Sequence, residues 1–216
     1  MNENLLGTQN QVSKKTQMKE FYNNNKILIY SILSIIVVCL ISLNFYLENK
    51  KTKRTLLTEN YIDAKIYLEN GNKEAATRIL KNIVFSNDST YSILSLFLIV
   101  NENLVVNEKE LSSLFNHVLN NNKFEKEIKN LIIFKKAILE SNFLNEEELL
   151  ESLKPLLNSE SIWKPHALFL LGDYYFSQKE NYKAREFYME ILNMKNLNKE
   201  FYNKASTQIA SITNDK

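Results

Sequence analysis

Two hydrophobic patterns divide the chain. From Ile27 to Leu47 the residues are apolar on every side of a helix drawn through them, with no formal charge and with Ser31, Ser34, Ser42 and Asn44 as the strongly polar side chains. About 21 residues at ~1.5 Å rise give roughly 30 Å, the thickness of a bilayer's hydrocarbon core, so this stretch predicts a transmembrane helix. A cleaved signal peptide fits less well: its apolar run is usually about 7 to 15 residues and ends at a small-residue cleavage site. Here the run is followed by Glu48-Asn49-Lys50-Lys51-Thr52-Lys53-Arg54, a stop-transfer pattern. A buried core helix is rarely apolar all round over such a length.

From Leu56 the apolar positions recur at helical spacing and polar residues fill the other faces. Tyr61, Ala64, Tyr67 and Leu68 form one face, and Ala75, Ile79, Leu80 and Ile83 another. Asn70-Gly71-Asn72 separates them as a hairpin, with Gly71 suited to the left-handed conformation that ends a helix. The spacing predicts further pairs at Ser89–Val100 with Glu108–Leu119, Phe124–Leu139 with Glu146–Leu157, and Pro165–Ser177 with Tyr182–Leu192. A last helix over Glu200–Ile212 has Ala205, Ile209 and Ile212 on one side and polar residues on the other, as a capping helix requires. The pairs recur at roughly the period of tetratricopeptide-type repeats, about 34 residues. Only three glycines and two prolines leave too little turn chemistry for a sandwich or barrel.

The fourth pair matches the tetratricopeptide pattern most closely, through Leu168, Leu171-Gly172, Tyr175, Ala184 and Tyr188. Small residues at Gly172 and Ala184 allow a close helix crossing, with Tyr175 and Tyr188 filling the space beside it. Asn196 stands where the motif closes with proline. The first pair fits more loosely, with Ala64, Tyr67, Ala76 and Leu80 at the corresponding offsets, and the middle pairs fit by period. The expected fold is all-α: an N-terminal transmembrane helix followed by a tetratricopeptide-like α-α superhelix of about four helix pairs plus a capping helix. Its expected parts are a short N-terminal segment (1–26), the transmembrane helix (27–47), a charged juxtamembrane linker (48–55) and the repeat domain (56–213).

Charge narrows the function classes. The net charge of +2 comes entirely from residues 1–26, where Lys14, Lys15, Lys19 and Lys26 outnumber Glu3 and Glu20, so residues 48–216 balance to zero. A neutral surface of mixed signs lacks the basic field that nucleic-acid binding needs. The two flanks of the apolar span nearly tie in positive charge. The denser cluster at Lys50, Lys51, Lys53 and Arg54 favours a cytoplasmic helical domain by the positive-inside rule. Cys39, the single cysteine, lies within the span as a small hydrophobe facing lipid. The domain needs no disulfide and suits either redox compartment.

These parts, in this order, resemble the ancillary SecYEG translocon subunits, bacterial inner-membrane proteins with a tetratricopeptide-like domain. The matching pieces are the basic-aromatic segment Lys19-Glu20-Phe21-Tyr22-Asn23-Asn24-Asn25-Lys26, then Tyr61, Ala64, Gly71 and Ala75, then Asn87-Asp88-Ser89-Thr90-Tyr91-Ser92-Ile93-Leu94-Ser95. Trp163, Gly172 and Ala184-Arg185 complete the likeness. The resemblance implies a short cytoplasmic N-terminus, a repeat domain in the periplasm, and translocon subunits and periplasmic chaperones as partners.

Candidate chemistry is sparse. Isolated glycines exclude a P-loop and a dinucleotide fingerprint. Two histidines, His117 and His166, and one cysteine within the span supply no zinc or haem constellation. No Gly-x-Ser-x-Gly elbow is present. Glu146-Glu147-Glu148 and Glu151 open a helix, where acidic side chains favour the positive end of its dipole. His166 follows Pro165 at a helix start, and His117 caps the edge of a core face.

Helix-pair stacks expose a groove lined by the first helix of each pair, which takes peptides or partner helices. By offset, His166, Phe169, Asp173 and Phe176 would line it; the alternative for Phe169 and Phe176 is core packing. The sequence therefore predicts a membrane-anchored interaction scaffold, not an enzyme, with no cofactor and no small-molecule substrate. Two settings stay open: an ancillary subunit linking the Sec translocon to periplasmic chaperones and exported proteins, and a cytoplasm-facing assembly factor for another membrane complex; the competing reading from the enzyme class is a hydrolase with an unrecognised site.

Overall fold

The computed structural model describes residues 3–195 and 197–214, and every regular element among them is helical. Asn196 lies outside the described residues. The chain divides into two compact units, Met1–Leu56 and Leu57–Lys216. The first unit belongs to α1 (Glu3–Glu69), whose helix includes residues 48–55. Every described residue of 27–47 is exposed, from Ile27 at 80% to Leu47 at 61%, and Cys39 is exposed with them. The helix is long and apolar enough to cross a membrane, and its apolar window is not a buried core helix.

The second unit starts in the last turns of α1 and continues through α2 (Lys73–Val84), α3 (Tyr91–Asn101), α4 (Glu108–Asn121), α5 (Lys126–Glu140), α6 (Glu146–Leu157), α7 (Lys164–Ser177), α8 (Asn181–Leu192) and α9 (Lys199–Asn214). Helix ends fall within a few residues of the expected ones. Asparagine starts three of the even-numbered helices: the side chains of Asn72, Asn107 and Asn145 accept from the backbone N–H of Ala75, Glu110 and Glu148 at 3.1, 2.9 and 3.0 Å. Each satisfies a donor that a helix N-terminus otherwise leaves orphaned. At Asn145 the Glu148 carboxylate also accepts from the Asn145 N–H, closing a capping box. Gly71 adopts φ +75, as a hairpin glycine should, and Asn87, Asn103 and Lys179 take the same left-handed region at other turns.

Named contacts join alternate helices of the second unit. Among odd-numbered helices, the Tyr91 ring of α3 meets Tyr61 of α1 at 6.0 Å and its hydroxyl lies 2.6 Å from that of Thr58. Lys135 of α5 sits 5.3 Å from the Phe97 ring centre of α3. Phe134 of α5 meets His166 of α7 at 5.4 Å, and His166 meets Phe201 of α9 at 4.6 Å. Among even-numbered helices, Lys81 pairs with Glu110 across α2 and α4, and Lys183 pairs with Glu146 across α8 and α6. Glu140 of α5 joins α4 to α6, accepting from the Ser112 and Ser152 hydroxyls at 2.6 and 3.1 Å beside Lys136.

Two apolar cores form among these helices. Ala64, Leu80, Leu96, Ile99, Phe115 and Val118 are fully buried in the first; Leu149, Leu153, Leu156, Ala184, Tyr188 and Ile191 are fully buried in the second. Helix α5 serves both, with Ile132 in one and Ile133 in the other. Each leucine-sized burial contributes about 1.5–3 kcal/mol. The offsets of the first pair hold at Ala64, Ala76 and Leu80, all fully buried, whereas Tyr67 is 41% exposed. Its counterpart Tyr175 is buried, with its hydroxyl bonded to Glu146 of α6, whereas Tyr67 lies on α1, the first helix.

Candidate partner-binding face

Helix α7 turns two faces in different directions. Ala167, Leu168, Leu171, Gly172 and Tyr175 are buried, while His166, Phe169, Asp173 and Phe176 follow the opposite edge at spacings of three and four. Pro165 in the first turn costs nothing there, since its missing N–H would have no helical acceptor. The four candidate residues have unequal surroundings. Asp173 is exposed, and His166, Phe169 and Phe176 are partly buried.

Phe169 and Asp173 both meet Tyr188 of α8. The Phe169 ring lies 5.4 Å from the Tyr188 ring, and the Tyr188 hydroxyl donates to the Asp173 carboxylate at 2.6 Å. Although the residue is exposed, desolvation of its carboxyl group pushes Asp173 above its usual range, with the Tyr188 bond acting the other way. Burial, reinforced by the neighbouring carboxylate, pushes the Tyr188 hydroxyl up, so it stays a neutral donor. Phe176 packs against the second core.

His166 belongs to a different group. Its ring is 4.9 Å from Trp163 and contacts Phe134 and Phe201, so three odd-numbered helices meet around it. Its Nδ1–H donates to the Ile162 carbonyl at 3.3 Å, which fixes the neutral tautomer. Burial lowers its pKa below 6.5, with Lys204 contributing in the same direction while the Ile162 carbonyl and Glu200 oppose. Trp163 also stacks on Phe134 at 5.7 Å and accounts for the tryptophan ahead of α7.

The acidic run of α6 has separate tasks. Glu148 completes the capping box, while Glu146 accepts from Lys183 at 3.0 Å and from the Tyr175 hydroxyl at 2.8 Å. Lys183 and Tyr175 hold the Glu146 carboxyl below its ordinary range. Glu151 pairs with Lys154. His117 is partly buried, edge-on to Phe85 at 4.5 Å, with Nε2 2.9 Å from the Asn87 side-chain oxygen, a place at the margin of the first core. Among the described residues no group of three or more His, Cys, Asp and Glu side chains is placed to hold a metal ion.

Sequence reasoning missed the aromatic group around His166, the Glu140 junction and the Glu146–Tyr175–Lys183 tie. Each joins residues about thirty positions apart, beyond the reach of any local motif. One available signal was the acidic residue at 146 against Lys183, one repeat later. Comparison with known proteins adds no relative: no family model, no curated protein and no solved structure matches this chain.

Proposed function

We propose that the chain is a membrane-anchored protein-interaction scaffold whose second unit is a tetratricopeptide-like stack of helix pairs. The observation that carries this reading is the contact between alternate helices, odd to odd through Tyr91, Lys135 and His166, and even to even through Glu110 and Lys183. Such stacking leaves the first-helix row available to a partner. An apolar helix able to cross a membrane precedes it. Tethering then raises the local concentration of whatever the stack captures.

In this reading the anchor lies in a bacterial inner membrane and the stack in the periplasm. The chain acts as an ancillary subunit of the Sec translocon that brings periplasmic chaperones and exported proteins to the channel. Support comes from the resemblance at Trp163, Gly172 and Ala184-Arg185, which in the fold are a helix-start residue, a close-packed glycine and a buried alanine beside an exposed arginine. The basic cluster at Lys50, Lys51, Lys53 and Arg54 favours a second reading, a cytoplasm-facing assembly factor for another membrane complex. Photo-crosslinking residues at positions 162, 173 and 202 of the full chain test the two. Translocon subunits or periplasmic chaperones among the adducts support the first reading; exclusively cytoplasmic adducts contradict it.

A further inference from the structure

The apolar span ends at a built electrostatic feature. Lys50, Lys51, Lys53 and Arg54 continue α1 without a break after Leu47, and all four are exposed. At ~1.5 Å per residue they stand about 4 to 10 Å beyond Leu47 along the axis. The headgroup layer on each side of a bilayer is roughly 5 to 7 Å deep. At ~100° per residue the four side chains sweep about 160° of the helix circumference, with Glu48, Asn49 and Thr52 on the other side. Phe45 and Tyr46, 70% and 64% exposed, sit just before them, where aromatic side chains mark a membrane interface.

We propose that Lys50, Lys51, Lys53 and Arg54 form a one-sided collar that gathers anionic lipid headgroups around the anchor. The proposal rests on the reading that 27–47 crosses the bilayer. Lipid is the chosen source because the cluster is a direct continuation of the apolar helix: insertion of the span carries the Lys50 and Lys51 backbone to the depth of the lipid phosphates and holds Lys53 and Arg54 just outside it. Long lysine and arginine stems also reach along the helix to that layer. The collar is the denser of the two basic flanks of the span. It would fix the depth and the rotation of the helix, because only one side of it meets acidic lipid.

The test uses the full chain in vesicles of phosphatidylcholine and phosphatidylglycerol, with spin-labelled versions of each lipid reporting which is held at the protein surface. Wild type should hold phosphatidylglycerol in preference, and K50Q/K51Q/K53Q/R54Q should lower that preference at least about fivefold, the factor for one such charge at an anionic surface. Inorganic phosphate at constant ionic strength should leave it unchanged. Equal retention of the two lipids by wild type, full preference in the variant, or displacement by free phosphate would each overturn the collar. Flotation with vesicles after alkaline washing keeps the premise separate: chains that float without lipid preference sink the collar alone, whereas chains that fail to float sink the membrane span with it.

Discussion

Gly172 lies directly against the ring of Tyr188: a Cβ built on it would come 2.7 Å from Cζ and 2.8 Å from Cδ1, closer than real side chains approach. The ring is fully buried and its hydroxyl is held by Asp173, one residue beyond the glycine. Tyr188 therefore cannot swing away cheaply, and the α7–α8 crossing depends on the missing methyl group. Gly172→Ala should destabilise the chain by about 1–3 kcal/mol through overpacking. Thermal unfolding in detergent measures it, and Tyr188→Leu in the same chain should recover part of the loss because the two sites are coupled.

Gly71 offers the contrast. Nothing lies within 4 Å of a Cβ built there, but its φ is +75. Gly71→Ala should cost about 1–2 kcal/mol for conformation alone, with no rescue by shrinking a neighbour. A second-site variant that restores it would show that contact, not backbone, is the cause.

Glu140 is 4% exposed and carries two serine hydroxyls and Lys136. Glu140→Ala should cost about 2–4 kcal/mol, because it strands these partners where α4, α5 and α6 meet. Glu140→Gln keeps acceptor capacity at one oxygen and should cost less. Equal losses in denaturant midpoint would contradict the assignment.

His166 gives a pH dependence with a fixed sign. Its folded pKa is below the ordinary 6.5, chiefly from burial, so on acidification through 6.5 the unfolded chain takes up the proton first. Stability should be insensitive to this group above that value, and fall as pH drops from it towards the folded pKa. His166→Gln should flatten that part of a stability curve taken from pH 7.5 to about 5. A wild-type curve that rises on acidification through this range, with the rise absent in the variant, would contradict the sign.

The candidate face can be probed without dismantling it. Asp173→Asn removes the charge and retains an acceptor for the Tyr188 hydroxyl, so stability should stay within about 1 kcal/mol. Loss of the partners crosslinked from positions 162 and 202 in this variant would assign the Asp173 charge to binding; unchanged crosslinking would leave Asp173 as a support for Tyr188.

Elements with local signatures were legible in the sequence. The apolar run at 27–47, the Gly71 turn and the Gly172–Ala184 crossing follow from period, turn chemistry and residue size. Turns at Asn87, Asn103 and Lys179 were not legible as left-handed, because no glycine marks them. At the candidate face, the offsets placed His166, Phe169, Asp173 and Phe176 along one edge of α7, but not in one environment. Phe134, Tyr188 and Phe201 divide them, and those neighbours come from other helices.

The proposed scaffold is held on the periplasmic side of a membrane, and fusions after Lys216 report that placement. Alkaline phosphatase, and separately a fluorescent protein active only in the cytoplasm, would be joined to the full chain in a Gram-negative host. Phosphatase activity without fluorescence is the predicted result. Fluorescence without phosphatase activity would contradict the translocon reading, leaving the helical fold intact and making the cytoplasmic assembly factor the better account.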